Sequence, residues 1–353
     1  MFEPNARRST ACDAAAHRLS LRMPALLKPL ALSLSLGLVS AQAVAADKIK
    51  TYDSIASSRA VESLLVDVSA AGGNLVAVGE RGHVLISRDK GQSWKQVVVP
   101  TRQLLTSLFF VDEKNGWAVG HDAVILATTD GGATWVKQFE EPEREAPLLD
   151  IWFRDSQVGY AVGAYGALLT TSNGGKTWQD VSDRLDNEDG YHLNAIGEVK
   201  GSGLLAVGEL GNMFRSLDYG MTWEIVESPY EGSLFGVLSG SAVGEAVVYG
   251  LRGHIFYTAD FGTTWTEVQA KNEDGVIEYG LSDGARLADG SLLIVGHGGT
   301  VLRSRDGGKS FSVFNRPDRI SLAGVAPAAD GQLVLVGQGG VHMTDGTGAS
   351  LED

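Results

Sequence analysis

The chain has 353 residues, 44% of them hydrophobic and 20% charged, with a formal charge of −14. That acidity weighs against nucleic acid and anionic membrane surfaces as partners, because their phosphates draw affinity from clustered Lys and Arg. A single cysteine, Cys12, excludes an internal disulfide framework.

Residues 1–46 differ from the rest. Arg18, Arg22 and Lys28 lead into the apolar run LALSLSLGLVS (30–40), and AQAVAAD (41–47) places small residues where a signal peptidase reads. This pattern predicts an export signal cut after Ala45 or Ala46. The apolar run is about half of the roughly 20 residues that a membrane-crossing helix needs, so an uncleaved anchor is the weaker alternative. Met23 would serve as a second possible start. The expected organisation is a signal peptide, 1–46, and one domain, 47–353, soluble in the periplasm or secreted. That domain carries 24 basic against 41 acidic residues, a charge of −17, and has lost Cys12.

From residue 60 the chain repeats itself. A glycine closes a β-rich segment at Gly79, Gly120, Gly163, Gly208, Gly250, Gly296 and Gly337, at intervals of 41 to 46 residues. In six units, ten residues later, comes Asp89, Asp130, Asn173, Asp218, Asp260 or Asp306. Five residues further stands Trp94, Trp135, Trp178, Trp223, Trp265 or Phe311. A rigid block joined by elastic connections marks a repeated structural unit.

Each unit reads as four short strands. In the second, TSLFFVD, GWAVG, AVILATT and TWVKQF are β-branched and aromatic runs separated by turn residues, with no helical period between them. Four antiparallel strands per 41 to 46 residues predict the blade of a β-propeller. The conserved-spacing box, TTDGGATW in that unit, then falls at the hairpin between third and fourth strands. There Asp accepts backbone N–H bonds, Gly takes positive φ, and Trp buries a ring whose N–H still needs a partner. The box is a turn, not a site.

The seventh unit supplies LAGVAP, QLVLVG and GVHMT but no fourth strand before DGTGASLED. An open ring leaves sheet edges unpaired. The strand-like KIKTY (48–52) is expected to supply the missing outer strand and close an all-β, seven-bladed ring.

The order S/T-x-D-x-G-x-S/T-W, with VGxxG upstream, resembles the BNR or Asp-box repeat. GWAVG, GYAVG and LLAVG make it most similar to the photosystem II stability and assembly factor family, over roughly residues 60–345. The resemblance implies a seven-bladed, non-enzymatic scaffold without cofactor or metal, acting on a membrane or envelope protein complex. The arginine-rich face associated with that role is represented by Arg215 and Arg303, while the corresponding positions elsewhere are Ile86, Ala127, Thr170 and Tyr257. The general scaffold role is therefore what carries over.

Topology puts the connections between blades on the same face as the VGxxG turns, with the boxes opposite. The turns hold Glu80, Arg81, His83, His121 and Asp122, then Tyr165, Glu209, Arg252, His254 and His297. His342 follows the last turn, and His192 follows an acidic connection. The acidic stretches FEEPERE (139–145), DVSDRLDNEDG (180–190) and KNEDG (271–275) join the same face as solvated loops. This is the candidate binding face, for a protein partner of cationic or mixed charge. No chelating His spacing occurs, so no metal is expected, and the protein is expected to be a monomer.

The alternative is a carbohydrate-active propeller, a lectin or a glycosidase of sialidase type. A sialidase needs convergent arginines and an Arg-Ile-Pro signature, for which NRPDRI (315–320) is the nearest string. Other glycosidases need only two carboxylates about 5–10 Å apart. Tyr165, Tyr191, Trp152 and Tyr230 are the rings that would stack on sugar.

Overall fold

A computed structural model describes residues 52–351, and the expected export signal lies outside them. Seven antiparallel sheets follow one another along the chain. In six, four strands pair in simple sequence order. The second blade runs Leu105–Phe110, Gly116–Gly120, Ile125–Thr128 and Val136–Phe139, close to the four runs expected. The seventh has three strands, Leu322–Pro327, Leu333–Gly337 and Gly340–Thr344. The fold is a seven-bladed β-propeller, and the only helical pieces among the described residues are three-residue 3-10 turns.

Second strands such as Gly116–Gly120, Gly159–Gly163 and Leu292–Gly296 are buried at every residue. Each has a neighbouring blade on either side, which is why GWAVG and LLIVG read as unbroken apolar runs rather than as alternating ones. Fourth strands show the reverse, with Gln179–Asp180 and Glu224–Ile225 exposed. The hydrophobic interior is accordingly divided into clusters lying between neighbours. One joins Val76 and Val78 of the first blade to Leu105, Leu108 and Trp135 of the second. Another joins Leu65, Val68 and Leu75 to Val334 and Val336, where the last blade meets the first.

The boxes are turns. Asp130 accepts the Thr134 N–H (2.8 Å) and hydroxyl (2.6 Å), while the Thr128 hydroxyl accepts the Gly132 N–H (3.0 Å) and donates to Asp130 (2.8 Å). Gly132, at φ +88°, lies so close to Val76 of the first blade that a Cβ would come within 2.8 Å of it. One position thus demands glycine both for its backbone and for blade spacing. The Trp94 and Trp135 N–H groups donate to the carbonyls of Gly91 and Gly132 in their own boxes. Trp178, Trp223 and Trp265 are packed with no partner for theirs, so ring burial holds them.

The strand expected at 48–52 lies outside the described residues except for Tyr52, which is exposed and in no strand. The segment that follows has a different role. Ser54 donates its N–H to the Val99 carbonyl (2.8 Å) and accepts the Val99 N–H on its hydroxyl (3.0 Å). Gln96, in the outer strand of the first blade, bonds Ser57 and Ile55. The 3-10 turn Ala60–Glu62 then reaches the seventh blade, where Ala60 and Val61 pack with Val341 and Met343. At the opposite edge the chain folds back beyond Thr344, which bridges to Ser350. Arg303 and Arg316 of the sixth blade hold this turn through the carbonyls of Gly346 and Gly348.

Asp130→Ala should lower stability by about 1–3 kcal/mol, since several hydrogen bonds converge on that carboxylate. Asp130→Asn should cost less than half as much, because Asn173 already fills this place in the third box, accepting the Thr177 N–H and donating to its hydroxyl. Urea unfolding midpoints of the two variants check this. Removing residues 47–58 takes away the Ser54 and Gln96 contacts and should lower the midpoint in the same assay.

Candidate functional site

Every VGxxG turn is bonded to the segment that enters its blade, and several are bonded also to the segment that leaves it. The Glu80 N–H donates to the Leu64 carbonyl and the Gly82 N–H to Gln103. His121 and Ala123 bond Leu104 and Ala146, and Glu209 and Gly211 bond His192 and Gly232. The turns and the connections between blades therefore share one face. In the middle of each turn stands a left-handed residue, with Arg81, Asp122, Tyr165, Leu210 and Arg252 at φ between +50° and +57°. This conformation costs a non-glycine residue about 1 kcal/mol or more, and the hydrogen bonds on both sides of the turn hold it.

The candidate residues divide by exposure. Arg81, His121, Tyr165, Arg252 and His297 are exposed, and Glu80, Asp122, Glu209 and His254 are half-buried. His83 is 4% exposed and its Nδ1 has no partner; burial lowers its pKa. It lies against a cavity of about 690 Å³ that Arg59, Arg81, Arg102 and Glu80 also line. His254 lies 3.4 Å from Glu267 and packs on the Tyr230 ring at 4.2 Å. His192 meets Glu209 at 3.8 Å and the edge of Tyr165 at 5.2 Å. The histidines are thus spread in local pairs, and among the described residues no three acidic, His or Cys groups could hold one metal ion.

Two connections are more ordered than solvated loops. KNEDG forms a small hairpin, with Lys271–Asn272 paired to Gly275–Val276, and Asn272 bonds Asn315 of the sixth blade. FEEPERE contains the turn Pro142–Arg144, where Arg144 pairs with Glu141 and with Asp180 of the next blade. Arg316 of NRPDRI is 5% exposed and pairs with Asp318 while holding the C-terminal turn. Of the four rings proposed for sugar, Trp152 is buried and stacks on Tyr219, and Tyr230 packs on His254. Tyr165 is exposed.

A second constellation escaped the sequence reading. All seven inner strands carry a bulge at their start, as between Leu65 and Asp67, Leu105 and Ser107, and Leu281 and Asp283. A bulge re-aims side chains, and here it brings Asp67, Ser107, Asp150 and Asp283 to a central cavity of about 360 Å³. The carboxylates clasp neighbouring blades. Asp67 accepts the Leu108 N–H (2.7 Å), Asp150 the Ile196 N–H (2.8 Å), and Asp283 the Val325 N–H (2.9 Å). The Ser107 hydroxyl donates to Asp150 across a further boundary. Burial pushes Asp67 up to about 7, with the charge of Asp150 adding and the Leu108 N–H opposing. Burial likewise brings Asp150 to about 6, against its hydrogen bonds, and raises Asp283 well above the usual carboxylate range, with Asp67 adding. The only signal in the sequence was an acidic residue inside an apolar strand, LLVDV or LLDIW, at a distance from VG that varies with hairpin length.

The comparisons with known proteins now have a fold to attach to. The profile of the family described as "Photosynthesis system II assembly factor YCF48" matches residues 86–147 and 138–278, more than half of the chain. The chain belongs to this YCF48 family. Local similarity agrees: the chloroplastic photosystem II stability/assembly factor HCF136 of Cyanidioschyzon merolae is 44% identical over 62 residues. That match covers 17% of this chain and 14% of the relative. The photosystem II assembly protein Ycf48 of Thermosynechococcus vestitus is 38% identical over 42 residues, 12% of either chain. Each alignment thus spans less than a sixth of the curated relative. Among solved structures, "YCF48 bound to D1 peptide" superimposes with a TM-score of 0.61 at 20% identity, covering 85% of this chain and 97% of that one. YCF48 from Cyanidioschyzon merolae gives 0.62 at 20%, covering 80% and 95%. A streptogramin B lyase gives 0.66 at 12%, covering 80% and 93%; at such identity the likeness is one of fold.

Two sets of aspartates in this YCF48-family propeller oppose each other in acid. Asp67 and Asp150 bind protons more tightly folded than unfolded, so stability should fall as pH rises from about 4 towards about 7. In the boxes, the Ser93 hydroxyl and N–H hold Asp89 at about 2. Burial acts to raise Asp306, but the hydroxyls of Ser310 and Ser304 outweigh it and hold it at about 2 as well. Their contribution is present above about pH 4 and lost as pH falls towards 2. Thermal midpoints should therefore peak near pH 4–5. Asp67→Ser, which copies Ser107 of the second blade, should flatten the decline above that peak.

Proposed function

We propose that this protein is an exported, non-enzymatic scaffold that assists assembly of a membrane or envelope protein complex, engaging its client through the VGxxG face. Membership of the YCF48 family carries the reading, supported by the fold-level likeness to a YCF48 solved with a D1 peptide. Export rests on the pattern of residues 1–46, where basic residues, an apolar run and small residues follow in order. The face suits a protein client of mixed character. On consecutive blades it exposes Tyr165, Leu210 and Leu251, with Arg81 and Arg252 among the same turns. Exposed Tyr and Arg side chains are the residue types enriched at contact surfaces.

The carbohydrate-active reading draws on the carboxylates that converge in the central cavity. Their oxygens already accept backbone N–H groups from neighbouring blades, and of the four candidate rings Trp152 is buried while Tyr191 and Tyr230 are half-buried. The scaffold is the better supported of the two.

Purified protein should retain one membrane complex from detergent-solubilised native membranes. The triple variant Tyr165→Ser, Leu210→Ser, Leu251→Ser should lose it while keeping its thermal midpoint, since all three side chains are exposed. Binding on a glycan array without capture of a membrane complex would move the protein to the sugar-binding class. Cell fractionation of the full chain, beside a variant with Leu34→Arg and Leu36→Arg in the apolar run, tests export: the first should reach the envelope and the second remain inside.

A further inference from the structure

The central cavity gathers acidic side chains without a basic partner. Asp67, Asp150 and Asp283 line it together with Ser107, Thr106, Asn194 and Tyr249, and no Lys, Arg or His is among the lining residues. The three carboxylates come from the first, third and sixth blades, so they surround the cavity rather than sit at one side. Each is coupled to the other two electrostatically. An ionised carboxylate has about four acceptor positions. The observed hydrogen bonds use two on Asp67 and three on Asp150, leaving acceptor capacity on both.

Tyr249 supplies an independent observation. It belongs to the second strand of the fifth blade, Ala246–Gly250, whose other side chains fill the gaps between blades. Its ring crosses its own inner strand at Gly236, where a Cβ would collide with the hydroxyl, and that hydroxyl stands 3.0 Å from the position a Cβ on Gly284 would take. The inner strands of two adjacent blades thus carry glycine where the phenol must pass. The side chain is 2% exposed, and its hydroxyl makes no hydrogen bond to any described residue. Burial and the nearby charges, Asp283 foremost, keep the phenol protonated. That hydroxyl borders the open space of the cavity where the carboxylates converge, and so is free to meet a ligand there.

We propose that this cavity is a binding site for a small aliphatic polyamine, whose ammonium groups pair with Asp67, Asp150 and Asp283 while Tyr249 accepts one N–H on its hydroxyl oxygen. Two observations select this class. Among the described residues no three acidic groups are close enough together to hold one metal ion, so the positive charge must be distributed along the ligand. The cavity, about 360 Å³, lies at the small end of ligand sites, which suits a slender chain of methylenes and amines. The lining agrees, with Leu149, Ile196, Val237 and Phe235 offering apolar surface between the polar groups. The cavity shares no lining residue with the VGxxG turns, and its test does not depend on the proposed client binding.

Isothermal titration of the purified protein with spermidine at about pH 8, above the values of about 7 and about 6 to which Asp67 and Asp150 are raised, should show one saturable site. Tyr249→Phe removes a single oxygen and should weaken binding about tenfold, the value of one hydrogen bond to a charged group. Asp283→Ser, which copies the residue of the second blade at this place, should abolish it. Near pH 5 the affinity should fall, because Asp67, Asp150 and Asp283 take up protons and no other titratable group but Tyr249 lines the cavity. Three outcomes would overturn the proposal: no saturable binding; the same heats with Mg²⁺ at equal ionic strength; or spermidine binding unchanged in Tyr249→Phe, which would place the amine on the acidic outer surface. Should Asp283→Ser fail to fold, Tyr249→Phe decides alone.

Discussion

The whole architecture depends on how a blade meets its neighbour. A four-stranded sheet of this size cannot bury its own apolar faces, and each core cluster in the molecule is built from two adjacent blades. The bulge at the start of every inner strand adds a polar contact to that apolar one. It allows a carboxylate or hydroxyl on one blade to accept or donate across the boundary to the next. Where Asp occupies the position its carboxyl accepts one backbone N–H from the neighbouring blade; where Ala195 or Gly236 does, the boundary is held by packing and by bonds such as Asn194 to the Leu234 carbonyl. The ring is therefore uneven in its polar joints although its backbone is nearly uniform.

This unevenness explains what could be read beforehand and what could not. The fold was legible because its signals are local and repeated: a glycine, ten residues, an aspartate, five residues, a tryptophan. Turn chemistry fixes that spacing, so it survives in every blade, and the strands of the second unit fall close to where the apolar runs put them. The VGxxG face followed from topology alone. The channel aspartates were not legible, because a bulge has no composition of its own and hairpin length shifts its distance from the nearest landmark. Asp67, Asp150 and Asp283 look in the sequence like isolated charges in three strands. Only the closing of the ring makes them neighbours.

The VGxxG face can vary from blade to blade while the fold stays uniform. The left-handed residue of each turn is held by backbone bonds on both sides, so its side chain is free to vary without disturbing the blade. Arg81, Asp122, Tyr165, Leu210 and Arg252 occupy equivalent places with four different chemistries around the ring. A propeller of this design can change the chemistry of one face by changing side chains at fixed points. The boxes on the opposite face have less freedom, since their Asp carboxylates and Ser or Thr hydroxyls are committed to the turn.

The N-terminal segment has a consequence for how the molecule comes into being. Residues 53–57 lie along the outer strand of the first blade, and the turn Ala60–Glu62 reaches across to the last strand of the seventh. The first blade cannot cover its apolar flank until the final forty residues arrive, and contacts between segments so far apart in the chain form slowly. A chain emerging from a ribosome or threading through a pore thus remains an unsealed arc, its two sticky ends separated by the whole length of the polypeptide. The seam is the last part to form and, for the same reason, the place from which the ring would first come apart.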